Sequence, residues 1–165
     1  MFRLVKLSIN GRPLWVELKS ETEHLSGLLR SLGNVVGPKA DCNTGQCAAC
    51  TVLVGDSPVR SCTVKSEGCA GKDVKTAEHL DYGPSVHPML AAFRNHGLAA
   101  CPTCMPGMVL AAAAYAARNR ELTEDEVSRD LVADVCRCEC ADNMIVAVLD
   151  GARVMHGRGN VADEE

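Results

Sequence analysis

The chain has 165 residues, of which 47% are hydrophobic and 3% aromatic, and its formal net charge is −4. This length is enough for one domain or two small ones, with cores built from aliphatic side chains. An acidic balance without a basic run argues against a nucleic-acid partner, and no apolar stretch is long enough to span a membrane.

Strand patterns dominate the first half of the chain. Apolar residues alternate with polar ones on both sides of Asn10-Gly11, which is a hairpin turn signal. Leucines at helical spacing follow, and Gly33 can cap that helix. A polar, glycine-bearing loop then leads to further strands around a turn at 55–58. The predicted elements are strands over 5–9, 14–18, 51–54, 59–63 and 73–76 and a helix over 25–32.

The second half has a helical period, which places a domain boundary near 78–86. Pro106-Gly107 opens a helix, and Thr123 with Glu126 forms a capping box for the next. The chain is therefore predicted to be an α+β protein whose second half is helical. The predicted helices cover 89–98, 108–118, 124–132 and 144–154, and the predicted domains are 1–80 and 84–160.

The cysteines carry the clearest functional signal, because eight of the ten form two groups of four. The first group has the C-x4-C-x2-C spacing of plant-type ferredoxins, with a fourth cysteine after eleven residues. The second reads C-x2-C and, after thirty-one residues, C-x-C. Four thiolates hold one [2Fe–2S] cluster, so two sets predict two clusters and a protein that relays electrons. The predicted ligands are Cys42, Cys47, Cys50 and Cys62 for the first cluster and Cys101, Cys104, Cys136 and Cys138 for the second.

Disulfides and zinc are weaker interpretations of these cysteines. Disulfide frameworks are typical of short secreted chains, and the first residues show no signal peptide, which favours a cytoplasmic location. Structural zinc usually takes paired C-x2-C motifs or a Cys/His mixture. The second group alone could hold zinc, but its pairing with the first favours iron. Cys69 and Cys140 are left over: Cys69 is expected to be structural, and Cys140 is either a bystander thiol or a competing ligand.

Two glycine-bearing motifs lie close to the predicted ligands. Gly45 lies in the first ligand loop, where it allows the backbone to approach sulfur closely or simply forms a turn. Pro106-Gly107 either aims a helix N-terminus at the second cluster or serves only as a helix opener. No Ser/His/Asp constellation and no phosphate-binding loop is present in the sequence, so we expect no substrate chemistry on this chain alone.

The order of the two cysteine sets resembles the small iron–sulfur subunit of the xanthine oxidase family of molybdenum hydroxylases. Further resemblance lies in the stretches Ser61-Cys62, Pro106-Gly107-Met108 and Cys136-Arg137-Cys138. The likeness extends over nearly the whole chain. It implies an N-terminal β-grasp, plant-type ferredoxin-like domain and a C-terminal four-helix bundle, each with one [2Fe–2S] cluster.

The resemblance also implies a role within a larger oxidoreductase complex. Electrons would pass one at a time from a molybdopterin-bound molybdenum on a large partner subunit through the C-terminal and then the N-terminal cluster. The acceptor would be flavin (FAD) on another subunit, a cytochrome or another carrier. Cys138 would lie against the pterin as well as bind iron. The alternative functions are a stand-alone two-cluster ferredoxin and a scaffold that uses metal only for structure.

Several positions depart from the family's pattern. Ala100 stands where the family usually has a glutamine that contacts the pterin, and Pro102 replaces a glycine within the second set. Ala48 replaces the glycine that usually follows the second ligand of the first set. These replacements change the backbone donors near sulfur and the expected pterin contact, and they indicate a divergent branch.

Overall fold

The computed structural model describes residues 3–20, 23–33, 35, 37–38, 42–81, 85–98, 103–132 and 141–158. These residues form a five-stranded mixed sheet, and most of the helices follow it along the chain. The strands are β1 (Arg3–Ile9), β2 (Arg12–Leu18), β3 (Thr51–Val54), β4 (Ser57–Arg60) and β5 (Asp73–Lys75). The helices are α1 (Leu25–Ser31), α2 (Pro88–Asn95), α3 (Met105–Arg118), α4 (Glu124–Val127, continued by a π-helical turn over Ser128–Val132) and α5 (Ala141–Met155).

The strand order in the sheet is β2-β1-β5-β3-β4. β1 pairs antiparallel with β2 and parallel with β5, while β3 is antiparallel to both β4 and β5. Asn10 and Gly11 join β1 to β2 with φ angles of 50° and 79°. Two consecutive residues in the left-handed region match the twist of a two-residue hairpin, so the predicted hairpin is confirmed.

The strand β4 begins earlier than the sequence predicted. It covers Ser57–Arg60 rather than 59–63, because the chain already turns at Gly55, whose φ is 64°, and Pro58 joins the strand. β4 is an edge strand, where a residue without an N–H is tolerated. The expectation that Cys62 lies on a strand is therefore wrong, and Cys62 lies in the turn directly after β4.

Two hydrophobic cores meet at β3. Val52 packs with side chains of β1, β2, α1 and β5 in one core. Leu53, the next residue, points to the opposite face because side chains alternate along a strand. It packs with side chains of the second half of the chain in the other core. β3 therefore links the sheet directly to the helices.

The helix α3 lies at the centre of the second core. Its residues 107–114 are all buried, and β3, α2 and α5 pack around it. α3 begins three residues before the predicted start, because Cys104 is the N-cap and Pro106 lies in the first turn, where its missing N–H has no helical partner to lose. None of the helices in the described ranges has the length and apolar character of a membrane span.

Candidate functional site

The first predicted ligand set lies at one end of the sheet, where the loop before β3 meets the turn after β4. Cys42 and Cys47 lie in this loop and are half-buried, whereas Cys50 and Cys62 are buried. The thiol of Cys62 hydrogen-bonds that of Cys50, and it lies close enough to Cys42 for the charge of Cys42 to raise the pKa of Cys62. The structure therefore brings these four sequence-predicted residues together.

Ser61 holds the last two ligands of this set side by side. Its N–H and its hydroxyl both donate to the carbonyl of Cys50, at 3.1 and 2.7 Å. Its own carbonyl accepts from the N–H of Ser26 in α1 at 3.0 Å. Ser61 has no exposed surface, so these bonds are shielded from water. Nothing in the cysteine spacing indicated this buried serine.

Backbone donors of the ligand loop point at sulfur. The N–H of Cys47 donates to Cys42 Sγ at 3.4 Å, and the N–H and hydroxyl of Thr44 donate to the same sulfur. The N–H of Gly45 donates to the sulfur of Cys62. Hydrogen bonds from the protein to ligand sulfur are one of the means by which a chain sets the potential of a cluster.

Gly45 is required by both conformation and space. Its φ is 78°, and a Cβ at this position would lie 3.0 Å from the methyl carbon of Thr63. A side chain would therefore strain the backbone and push against Thr63. The N–H of Gly45 lowers the pKa of Cys62, which favours the close backbone approach to sulfur that the sequence suggested for this glycine.

The thiols of this set differ in pKa. The N–H of Cys47 and the donors of Thr44 lower the pKa of Cys42 to about 5. Burial and, to a smaller extent, the neighbouring thiol of Cys50 raise the pKa of Cys62 to about 11. The shifts are opposite because donors stabilise one thiolate while burial destabilises the other. Iron binding needs all four thiols deprotonated and supplies positive charge to stabilise them.

These features fit a [2Fe–2S] cluster. The donor set consists of thiols, and the loop offers N–H groups to at least two of the sulfur atoms. Within the described ranges, no three His, Cys, Asp or Glu side chains converge on one metal ion. A [2Fe–2S] cluster instead spreads four thiolates over two irons.

Only one ligand of the second predicted set lies within the described residues. Cys104 is half-buried and forms the N-cap of α3, at the positive end of the helix dipole. This position agrees with the predicted helix N-terminus at the second set. The predicted ligands Cys101, Cys136 and Cys138, the spare Cys140, and the departures Ala100 and Pro102 lie outside the described residues.

The two ligand regions meet where the first turn of α3 packs on the first ligand loop. A Cβ at Gly107 would lie 1.9 Å from the carbonyl oxygen of Ala48 and 3.2 Å from Cβ of Thr51. Ala48 lies between two ligands of the first set, and Gly107 lies in the turn that Cys104 caps. The absence of a side chain at position 107 therefore allows the two regions to touch.

Cys69 lies in a hydrophobic core, as expected for the structural role that the sequence suggested. It is fully buried in the core that contains Val52, and its thiol lies 3.9 Å from the carbonyl oxygen of Lys65. Burial raises the pKa of this thiol. The residue therefore behaves as a small apolar side chain.

Comparison with known protein families adds an independent line of evidence. A family model described as a [2Fe-2S] binding domain matches residues 76–149, a range that contains the second cysteine set. The chain is 34% identical over 148 residues to the xanthine dehydrogenase iron-sulfur-binding subunit of Escherichia coli O157:H7, covering 88% of this chain and 92% of that protein. It is 35% identical over 134 residues to one of the subunits of nicotinate dehydrogenase from Pseudomonas putida, and the match covers 81% of this chain and 85% of that subunit.

Solved structures share the fold across almost the full length. Quinoline 2-oxidoreductase from Pseudomonas putida 86 contains a chain that matches with a TM-score of 0.86 and 29% identity, over 97% of this chain and 99% of that one. The aldehyde oxidoreductase from Desulfovibrio desulfuricans matches with a TM-score of 0.87 and 31% identity. This chain corresponds to only 18% of that longer chain, so the likeness there concerns one part of a larger enzyme.

Proposed function

The chain belongs to the small iron–sulfur subunits of the xanthine oxidase family of molybdenum hydroxylases, and we propose that it relays single electrons through two [2Fe–2S] clusters. The electrons come from a molybdopterin site on a large partner subunit. They enter at the C-terminal cluster, pass to the N-terminal cluster and leave to flavin or another acceptor. The chain is an electron-transfer subunit of an oxidoreductase complex, and it carries no substrate site of its own.

The contact between the two ligand regions is the observation that carries this proposal. Cys104 caps α3, and Gly107 in the first turn of that helix touches the loop that holds the first ligand set. A relay needs its carriers close together, and this packing puts a ligand of each set on either side of one contact. A protein that used metal only for structure would have no need for such proximity.

The finer architecture is part of the same proposal. Residues 1–80 form a β-grasp, ferredoxin-like domain, which the β2-β1-β5-β3-β4 sheet and its crossing helix α1 support. Residues 84–160 form a four-helix bundle, which the shared core of α2, α3, α4 and α5 supports. The first domain holds one cluster on the four cysteines of the first set, and the second domain holds the other on Cys101, Cys104, Cys136 and Cys138.

Partners follow from the same family membership. A large molybdopterin-binding subunit is the electron donor, and a flavin subunit with FAD or a cytochrome is the acceptor. In this proposal Cys138 would lie against the pterin as well as bind iron, and the complex would reside in the cytoplasm. The stand-alone ferredoxin is not favoured, because the relatives are named as subunits of dehydrogenases and hydroxylases.

Electron paramagnetic resonance (EPR) on single-cysteine variants tests the proposal. The dithionite-reduced chain, co-expressed with its large subunit, should show two distinct cluster signals and contain about four irons and four labile sulfides. Cys47→Ser should remove one signal and Cys101→Ser the other, because each loses one of four ligands. Cys69→Ser and Cys140→Ser, the matched controls, should retain both signals.

Four results would contradict parts of the proposal. Zinc in place of iron would leave a structural metal site, and about two irons per fully loaded chain would leave a single cluster. Loss of a signal in Cys140→Ser would move the ligand assignment within the run 136–140. A brown chain that never co-purifies with a larger subunit would favour the stand-alone ferredoxin.

A further inference from the structure

Arg60 lies beside the first ligand set, on the side that faces α3. It is paired with Thr51 across the β3–β4 ladder, which puts the two side chains on the same face of the sheet. Nη1 of Arg60 donates to Oγ1 of Thr51 at 2.5 Å. Cβ of Thr51 in turn lies 3.2 Å from the position of a Cβ at Gly107. The guanidinium therefore lies next to the contact between the two ligand regions.

Arg60 is also fixed against the loop whose N–H groups point at sulfur. Its Cγ and Cβ lie 3.9 and 4.0 Å from the position of a Cβ at Gly45, and the N–H of Gly45 donates to the sulfur of Cys62. The carbonyl of Arg60 accepts from the N–H and the hydroxyl of Thr63 at 2.9 and 3.0 Å. Contacts before and after Cys62 thus hold Arg60 in one place.

Among the described residues, the charge of Arg60 has no carboxylate partner. The Thr51 hydroxyl is the polar contact of this guanidinium there, and no Asp or Glu of the described ranges lies within ion-pair distance of it. Asp130 lines the same cavity of about 350 Å³, but it pairs with Arg129 and accepts from Tyr115. The positive charge is therefore not cancelled by these neighbours, and its field would act on a charge held at the adjacent ligand set.

We infer that Arg60 raises the reduction potential of the first cluster and so directs the electron toward it. This inference rests on the proposed function. The second cluster loses one electron and the first gains it, which makes the first ligand set and its irons more negative by one charge. A fixed cation stabilises this more negative state more than the oxidised one.

Potentiometric titration of the cluster-loaded chain tests the role of this charge. Dithionite titration followed by EPR gives a midpoint potential for each cluster separately. Arg60→Gln and Arg60→Met should both lower the potential of the first cluster, and Arg60→Lys should restore most of it, because Lys retains the charge. The potential of the second cluster should shift less and serves as the internal reference.

A second variant separates the charge from its position. Thr51→Val keeps the volume of the side chain but removes the acceptor that anchors the guanidinium. It should lower the potential of the first cluster by less than Arg60→Gln, because the charge remains but moves toward solvent. This variant also tests the inference if Arg60→Gln fails to load its clusters.

Unchanged potentials in Arg60→Gln or Arg60→Met with both cluster signals present would overturn the inference, while the proposed relay would stand. The inference would also be overturned if Arg60→Lys lowered the potential of the first cluster as much as Arg60→Gln, because the packing of the guanidinium rather than its charge would then matter. Fewer than two cluster signals in the unsubstituted chain would instead contradict the proposed function. The two failures are therefore distinguishable.

Discussion

Replacing Gly107 with alanine should separate the two ligand regions. The new Cβ would lie 1.9 Å from the Ala48 carbonyl oxygen, so the two atoms must separate by 1.1 Å to reach the 3.0 Å below which real Cβ contacts essentially do not occur. The obstacle is backbone, which cannot rotate away as a side chain can. Overpacking of this kind costs about 1–3 kcal/mol, and we expect a loss near 2 kcal/mol.

Two other helical glycines provide matched controls. Among the described residues, a Cβ at Gly27 in α1 would meet only the side chain of Glu23, at 3.9 Å, so Gly27→Ala should gain up to about 1 kcal/mol from helix propensity. Gly151 in α5 would meet the flexible Met89 side chain at 2.7 Å and Cα of Met89 at 3.0 Å. The change in stability of Gly151→Ala should therefore lie between those of Gly107→Ala and Gly27→Ala.

The rate of cluster bleaching in urea measures this order of stability. Cluster loss makes unfolding irreversible, so a rate is the appropriate quantity. A loss of about 2 kcal/mol corresponds to at most roughly thirtyfold faster bleaching for Gly107→Ala. The same variant should also weaken the magnetic interaction between the two clusters in EPR. If Gly107→Ala bleaches as slowly as Gly27→Ala, the contact described between α3 and the ligand loop is wrong.

Two further substitutions test separate parts of the structure. Gly45→Ala should lower the free energy of unfolding by about 1–2 kcal/mol, because position 45 has a φ of 78°. The variant should also incorporate the first cluster more slowly than the control Gly27→Ala. Normal cluster loading in Gly45→Ala would contradict the role given to this glycine. Burial and, to a smaller extent, the charge of His79 lower the pKa of His87 below its ordinary value of 6.5. Nδ1 of His87 accepts a hydrogen bond from the N–H of Met89 at 3.1 Å. The unfolded chain therefore binds the proton more readily, so stability should fall as pH drops below 6.5. His87→Asn keeps a capping acceptor but does not titrate. Between pH 7.5 and about 5.5 the bleaching rate of this variant should change less than that of the unsubstituted protein. An equal change in both proteins would rule out a contribution of His87 to the pH dependence of stability.

Local elements could be predicted from the sequence because their signals are local. The hairpin at Asn10-Gly11 formed where left-handed residues were expected. The capping box formed with both reciprocal bonds between Thr123 and Glu126. The convergence of the first four cysteines was also predictable, because their spacing follows from the geometry of one cluster. These features depend on residues close together in the chain or on known ligand chemistry.

Contacts between distant residues could not be predicted in this way. Pro58 indicated a turn, but the position of β4 at the sheet edge allows a proline within the strand. The contact between Gly107 and Ala48 depends on how α3 packs against β3, which no local pattern encodes. The position of Arg60 depends on its pairing with Thr51, and that register shifted with the start of β4.

Rapid freeze-quench EPR on the assembled complex tests the relay most directly. The complex is mixed with a substrate that reduces it, and the two cluster signals are followed in time. We expect the C-terminal cluster to be reduced first, and we expect Cys104→Ser to leave the N-terminal cluster oxidised while dithionite still reduces it. Reduction of the N-terminal cluster by substrate at the normal rate in Cys104→Ser would contradict the proposed electron path.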